Sequence, residues 1–345
     1  TGHTGFKGTW LTFWMHHLGA KVVGISKDIP TNPSLFKILK LNKKIVDIKL
    51  DIRNLKKLQN VFKKFQPNFV FHLAAQSLVK KSYQNPIETF TSNTVGTLNV
   101  MESIKQVKKN CNSVIITSDK SYKNLEIKRG YHEEDLLGGK DPYSASKASA
   151  ELIIQSYIHT FYNSKNNKKL FAVARAGNVI GGGDWSEDRL IPDCIKAWSR
   201  KNIVKIRNPN STRPWQHVLE ALRGYLTLQV QMQKNKKIHG EAFNFGPKDN
   251  QNKKVIQLVE EIKKNWKNIS WLIEKSNKEN LESNLLKLNS NKAKKKLGWV
   301  PILSFSTTIE MISNWYKNFY NKKNVDIEKF TKDQIIQYGK KIKLK

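Results

Sequence analysis

Apolar positions along this chain switch between two periods. Behind the opening run TGHTGFKG, Trp10, Leu11, Trp14, Met15 and Leu18 recur at three- and four-residue spacing, which predicts a helix near residues 9–19 with one buried face. The runs KVVGIS, FVFHLA, SVIITS and FAVARA are short and rich in β-branched and aromatic residues, and they predict strands. Helical stretches near 86–108 and 141–163 separate the later ones. This alternation predicts an α/β fold: a doubly wound parallel sheet covered on both faces, with a ligand crevice at the carboxyl ends of its strands.

Beyond about residue 175 the texture changes. Gly181, Gly182 and Gly183 cluster, and amphipathic helices near 189–200, 217–232 and 306–318 are separated by Asn- and Lys-rich connections. The pattern predicts a first lobe over 1–175 and a smaller C-terminal lobe over 176–320, with a charged, peripheral tail over 321–345. No internal repeat is apparent.

Composition narrows the classes. A chain of 345 residues with 39% hydrophobic residues and nine tryptophans has ample material for a core and is not of the disordered type. Its cysteines are Cys111 and Cys194 alone, which argues against a disulfide framework or a Cys-rich metal site and for a reducing, cytoplasmic setting. No stretch approaches the roughly 20 apolar residues that span a bilayer. The formal charge of +33 raises the alternative of a nucleic-acid-binding protein. The lysines, however, are spread along the chain beside Asn and Ile, as in KKNCN and NKKNVD, and read as solvated surface positions. A general positive field would still attract an anionic small ligand.

Two motifs carry chemistry. Gly2, Gly5 and Gly8 make a glycine turn at the head of the first predicted helix, where bare backbone and a helix N-terminus suit a dinucleotide's pyrophosphate. Such a turn normally follows a strand, so the sequence beginning at Thr1 is expected to lack its natural first strand and initiator Met. In DPYSASKASAEL, Tyr143 and Lys147 stand four residues apart and share a helix face, where the cation is expected to favour the phenolate and make a proton-transfer centre.

Together these motifs resemble the extended short-chain dehydrogenase/reductase family, whose members carry TGxxGxxG at the start and YxxxK near the middle. The likeness continues through Asp51 in KLDIRN, HLAAQS, Asn93 in NTVGTLNV, TSDKSY, RAGNVIGGGDW, RPWQHV and FNFGP. It implies a Rossmann-like fold in which later segments return to the first lobe, and it implies bound NAD. The narrower likeness is to sugar-nucleotide 4,6-dehydratases, carried by TGHTGFKGTWL, PTNPSLF, GGGDWSEDRLIPD and RPWQHVLEALRGYL. CDP-glucose or a related sugar nucleotide is the implied substrate. Relatives of this kind supply deoxysugar precursors for surface polysaccharides such as O-antigen, and pair as homodimers through two helices, here 86–108 and 141–163.

By this resemblance Gly2, Gly5, Phe6 and Gly8 surround the cofactor pyrophosphate. Asp51 and Ile52 approach the adenine, Leu73, Ala74, Ala75 and Asn93 line the dinucleotide, and Lys147 holds the nicotinamide ribose. Asp28 would accept from a ribose 2′-hydroxyl, although Lys27 beside it would equally suit a 2′-phosphate. Tyr143, helped by Ser118, is the implied base for the sugar 4-hydroxyl. Asp119 is the implied acid for the departing 6-hydroxyl, and Lys120 stands where many dehydratases carry the carboxylate that takes the carbon 5 proton. A lysine serves there only if its pKa falls far below its usual value near 10.4. Gln76, Asn178, Arg189, Arg213 and Trp215 are the implied substrate contacts, Arg213 and Arg189 on the diphosphate. Trp185 and Trp215 either stack on ligand or fill the core. His217 lacks partners for a metal site. A sugar-nucleotide 4-epimerase remains the enzymatic alternative, and Asp119 argues against it.

Overall fold

A computed structural model gives the architecture and describes residues 1–164, 166–206, 208–248, 251–266, 269–274, 285–321 and 325–343. The first half runs α1 (Phe6–His17), β1 (Val23–Ser26), α2 (Leu35–Ile38), β2 (Val46–Lys49), α3 (Leu55–Phe65), β3 (Phe69–His72), α4 (Val79–Gln84), α5 (Pro86–Phe90), α6 (Gly96–Ile104), β4 (Cys111–Ile116), α7 (Pro142–Phe161) and β5 (Lys169–Ala176). The second half runs β6 (Val179–Ile180), α8 (Leu190–Ser199), β7 (Val204–Ile206), β8 (Thr212–Pro214), β9 (Gln216–His217), α9 (Val218–Lys234), β10 (Ala242–Phe245), β11 (Asn252–Lys254), α10 (Val255–Asn265), β12 (Trp271–Ile273), α11 (Asn291–Leu297), α12 (Phe305–Asn321) and α13 (Ile327–Lys343).

Four parallel strands lie in the order β10-β5-β4-β3, and β1 pairs in parallel with β2. Thr1 and Gly2 bond to both groups: Leu73 N–H donates to Thr1 O at 3.2 Å and Gly2 N–H to Ile25 O at 2.7 Å. Every residue of β4 is buried, as a strand covered on both faces requires. Alternation then sorts the core in two. Val114, Ile116, Ala172 and Ala174 face α1 and α9, whereas Ile115, Phe171 and Val173 face α3, α6 and α7.

The predicted strands and helices are present, with the first helix beginning at Phe6 rather than residue 9. The stretch expected as one helix over 86–108 contains a π-helical turn, Thr91–Val95, between α5 and α6. Caps explain two boundaries that matter below. Asp141 accepts from Ser144 N–H at 2.9 Å and Pro142 opens α7; Asn54 accepts from Lys57 N–H at the head of α3.

The later chain returns to the sheet as β10, register-paired Ala242 to Val173 through Phe245 to Ala176. Charge alone predicts a peripheral tail over 321–345, but among its described residues Thr331, Ile335 and Tyr338 are buried, and Tyr338 OH donates to Glu220 at 2.8 Å. The apolar face of α13 therefore holds it to the body; residues 322–324 and 344–345 lie outside the described residues.

Candidate active site

Three segments converge where the β4 end meets the heads of α1 and α7. The polypeptide leaves β4 through Thr117 and Ser118 into a short 3-10 turn over Asp119–Ser121. Ser118 Oγ donates to Asp119 Oδ1 at 2.9 Å and accepts from Lys120 N–H at 3.2 Å, which fixes the turn. Asp119 is 2% exposed, and its Oδ2 is buried without a hydrogen-bond partner. Gly177 lies over that oxygen; a Cβ there would come within 2.4 Å of it. Burial holds the Asp119 carboxyl above its ordinary pKa, against the pull of Lys120, the Ser118 hydroxyl, Arg213 and Lys7.

Tyr143 and Lys147 lie on the inward face of α7, each 7% exposed. The expected depression of the Tyr143 pKa does not occur. Burial outweighs the Ser118 hydrogen bond and the Arg189 guanidinium, and the phenol is pushed up. Burial also lowers Lys147 to about 8, with Glu151 working in the opposite direction.

Glu151, one turn further along the same face, was not singled out by the sequence motifs. It takes both oxygens into a pair with Arg175 at 2.9 Å and shorter, and accepts from Thr117 Oγ1 at 2.7 Å and Ser121 Oγ at 2.9 Å. Arg175 also donates to Tyr122 OH and Glu133 O. This buried network ties α7 to β5 and to the turn that carries Asp119. Its signal in the sequence is the four-residue repeat Tyr143, Lys147, Glu151. Lys7 was missed too, and its signal is a charged residue inside a glycine-rich apolar turn. Gly177 left no signal.

The dinucleotide cradle is sound on its own geometry. Gly2 has φ +74°, and a Cβ on it would meet Ala74 N at 2.6 Å; a Cβ on Gly8 would meet Gly2 O at 1.9 Å. Gly5 has only Gly2 O nearby, at 3.5 Å. Helix α1 starts there with no side-chain cap, leaving its first N–H groups for an anion. Among the described residues none accepts a hydrogen bond from the Lys147 ammonium, so it is available for hydroxyls. These features fit a dinucleotide. Leu73, Ala74 and Ala75 follow β3 beside Gly2, and Ile52 packs its Cδ1 against Gly96. Asp28 is exposed at the end of β1, while Lys27 turns to Glu88 at 2.6 Å. The Asp51 carboxylate is gripped by the Arg53 guanidinium, which lowers its pKa.

Other candidates have structural duties. Asn93, in the π-helical turn, accepts from Gln76 N–H and donates to Gln76 O and Ser146 Oγ, so it clamps the β3 exit to α7. Gln76 is held likewise: its amide bonds Leu78 and Thr89. Trp215 is 6% exposed with its indole N–H on Lys253 O, and Trp185 packs among Trp315, Tyr316 and Phe319; both fill the core. His217 is buried and lowered to about 3 by that burial, with Nδ1 accepting from Leu219 N–H. No metal-binding group of side chains occurs among the described residues.

On the opposite wall, β6 and β9 bring Asn178 beside Gln216, and β8 carries Arg213 against β11. Arg189, at the head of α8, reaches Asp184 at 3.3 Å and Ser77 at 3.4 Å. Arg213 lies within electrostatic reach of Asp119, and Arg189 within reach of Tyr143.

Residues 1–312 match the family model described as GDP-mannose 4,6 dehydratase. The chain is 44% identical over 321 residues to the CDP-glucose 4,6-dehydratase of Salmonella typhimurium, covering 92% of this chain and 89% of that one. It is 26% identical to the UDP-glucose 4-epimerase of Mycoplasma pneumoniae, over 77% of this chain and 80% of that one. A crystal structure of dTDP-glucose 4,6-dehydratase from Bacillus anthracis in complex with NAD superposes with a TM-score of 0.74 at 22% identity, covering 92% and 95% of the two chains. That likeness bears out the expected Rossmann-like α/β fold.

Proposed function

Because the chain belongs to the GDP-mannose 4,6-dehydratase family, we propose that it converts CDP-D-glucose to CDP-4-keto-6-deoxy-D-glucose with NAD as resident cofactor. The observation that carries the reading is Asp119: a buried carboxyl held toward its protonated form, beside Tyr143 and Ser118, is what loss of a hydroxyl needs and what 4-epimerisation does not. When bound, NAD supplies the hydride exchange that oxidises carbon 4 and reduces carbon 6. The chain supplies position and protons. Lys147 holds ribose hydroxyls, Tyr143 accepts the proton of the 4-hydroxyl, and Ser118 orients that hydroxyl. Asp119 then protonates the 6-hydroxyl as it departs. Arg213, Arg189 and Asn178 bind the diphosphate from the 176–320 lobe, which acts as the substrate-binding lobe. Lys27 is held mainly by Glu88, at 2.6 Å against 3.9 Å to Asp28, and the exposed Asp28 carboxylate suits a 2′-hydroxyl, which supports NAD over its phosphorylated form.

The test is to offer CDP-glucose, UDP-glucose, dTDP-glucose and GDP-mannose and identify products by NMR. CDP-glucose deuterated at carbon 4 should give 6-deoxy product carrying the deuterium at carbon 6. Label lost to solvent, or a carbon 4 epimer as product, would sink the reading.

Homodimerisation is part of the same proposal. Ile87 on α5 is 79% exposed and Leu152 on α7 is 58% exposed, on two helices that pack together. Ile87→Glu with Leu152→Glu should convert a dimer to a monomer in analytical ultracentrifugation; an unchanged sedimentation coefficient would place the interface elsewhere. The two cysteines are free and buried, which supports a cytoplasmic setting, and no described helix is long and apolar enough to cross a membrane.

A further inference from the structure

Asp119 and Lys120 share one short turn, and a single carboxylate grips that turn at both ends. Thr117, the residue before Ser118, donates its hydroxyl proton to Glu151 Oε1 at 2.7 Å. The hydroxyl of Ser121, the residue after Lys120, bridges the same oxygen, at 2.9 Å, and Ser118 O, at 2.7 Å. Glu151 reaches this point because it follows Tyr143 and Lys147 by one more four-residue step on the inward face of α7. Its other partner is the Arg175 guanidinium on β5, which is fixed in turn by Tyr122 OH at 2.7 Å and Glu133 O at 2.8 Å. Two residues past Arg175, Gly177 covers Asp119 Oδ2. The turn is thus held from α7 and covered from the β5 exit, and the buried Glu151–Arg175 pair joins the two. A buried ion pair is a weak source of stability, because desolvation offsets its attraction. What this one provides is direction.

We propose, resting on the dehydratase reading, that Glu151 is a positioning residue that aims the Asp119–Ser121 turn at the sugar. It acts through Thr117 and Ser121 rather than on the substrate. The two grips divide the work. The Thr117 end holds Ser118, which serves the carbon 4 hydroxyl beside Tyr143, whereas the Ser121 end holds Asp119 and Lys120, which serve the loss of water. Releasing the second end therefore slows the elimination and spares the oxidation. A shift of about 1 Å in a positioned group is enough to cost about a hundredfold in rate. Glu151 also sits one turn from Lys147 and sustains its ammonium against burial, so the same carboxylate serves the residue that holds the ribose.

The test follows a single turnover of CDP-glucose on the holoenzyme, with reduced cofactor read by its absorbance as it forms and decays. In Ser121→Ala its formation should stay within about twofold of wild type, while its decay and the appearance of 6-deoxy product slow by about tenfold or more. Cofactor content and CDP affinity should persist. In Thr117→Val both phases should slow, and Thr117→Ser, which restores the hydroxyl, should recover them. Glu151→Gln keeps the shape and removes the charge; it should slow the decay at least as much as Ser121→Ala, and the double variant should lose less than the product of the two separate effects, because both loosen one grip. If Glu151→Gln does not fold, Glu151→Asp, which withdraws the carboxylate but keeps its charge beside Arg175, serves with the same outcomes. Normal decay in Ser121→Ala, no recovery in Thr117→Ser, or independent effects in the double variant would overturn the role of Glu151. So would an equal loss in both phases of Ser121→Ala together with cofactor content and CDP affinity, the mark of a merely structural network. Wild-type enzyme that makes no 6-deoxy product overturns the dehydratase reading and this inference with it, whereas active wild type with normal decay in Ser121→Ala overturns only the inference.

Discussion

Tyr143→Phe should lower turnover of CDP-glucose by about 10²–10⁴, the usual contribution of a positioned acid/base group, with little change in KM or in nucleotide affinity. The ring is almost wholly buried and remains after the substitution, so packing of the α7 face is preserved. What disappears is the phenolic hydroxyl that meets Ser118. Ser118 is not stranded by the change, because it still donates to Asp119 Oδ1. The raised pKa of the phenol means that it rests protonated, so the rate of carbon 4 oxidation should rise with pH in the wild type and lose that dependence in the variant. Steady-state kinetics over a pH series decide it: near-normal turnover in Tyr143→Phe removes the residue from the chemistry.

Asp119→Asn should leave carbon 4 oxidation running and slow the appearance of 6-deoxy product by about a hundredfold or more. Tyr143, Ser118 and Lys147 are untouched, but an amide cannot donate the proton the departing hydroxyl needs. Reduced cofactor should then build up on the protein, read by its absorbance. The same variant has a stability signature. A carboxyl whose pKa is raised on folding favours the folded state at low pH and loses that contribution as pH rises through the folded-state pKa. Removing it should therefore raise the Tm relative to wild type increasingly as pH rises through the folded-state pKa, and by a constant amount beyond it. A variant that forms product at the normal rate is incompatible with Asp119 as the acid; one that melts lower than wild type at every pH is incompatible with its buried, unpartnered Oδ2 carrying a cost.

Much of the first lobe was legible because its signals are local. Glycine spacing, strand-length apolar runs and a capped helix with Tyr143 and Lys147 on one face are each written within a few residues. What the sequence does not reveal has a common cause. Gln76 and Asn93 lie in the expected segments, but which partner an amide chooses depends on residues brought together by folding, here each other and Ser146. Trp215 stands two residues after Arg213 in sequence, yet it lies just past the end of β8, buried, with its indole N–H on Lys253 O. The phenol's pKa followed burial rather than the neighbouring lysine, a balance that spacing does not reveal. Arg175 with Glu151, and Gly177 with Asp119, are joined across 24 and 58 positions, and no periodicity within one element points to such pairs.

The return of the chain as β10 bears on how the protein can be divided. Strand β5 is buried at seven of its eight positions, and β10 supplies the hydrogen-bond partners along one side of its C-terminal half. A chain ending at Ala176 would hold the glycine turn, Tyr143 and Lys147, and would still present β5 as a long, flat, apolar edge open to any other strand. The cofactor lobe is thus not a separable module. Its solubility is lent by a segment 66 residues further along, and the two lobes share one hydrogen-bonded sheet rather than a hinge.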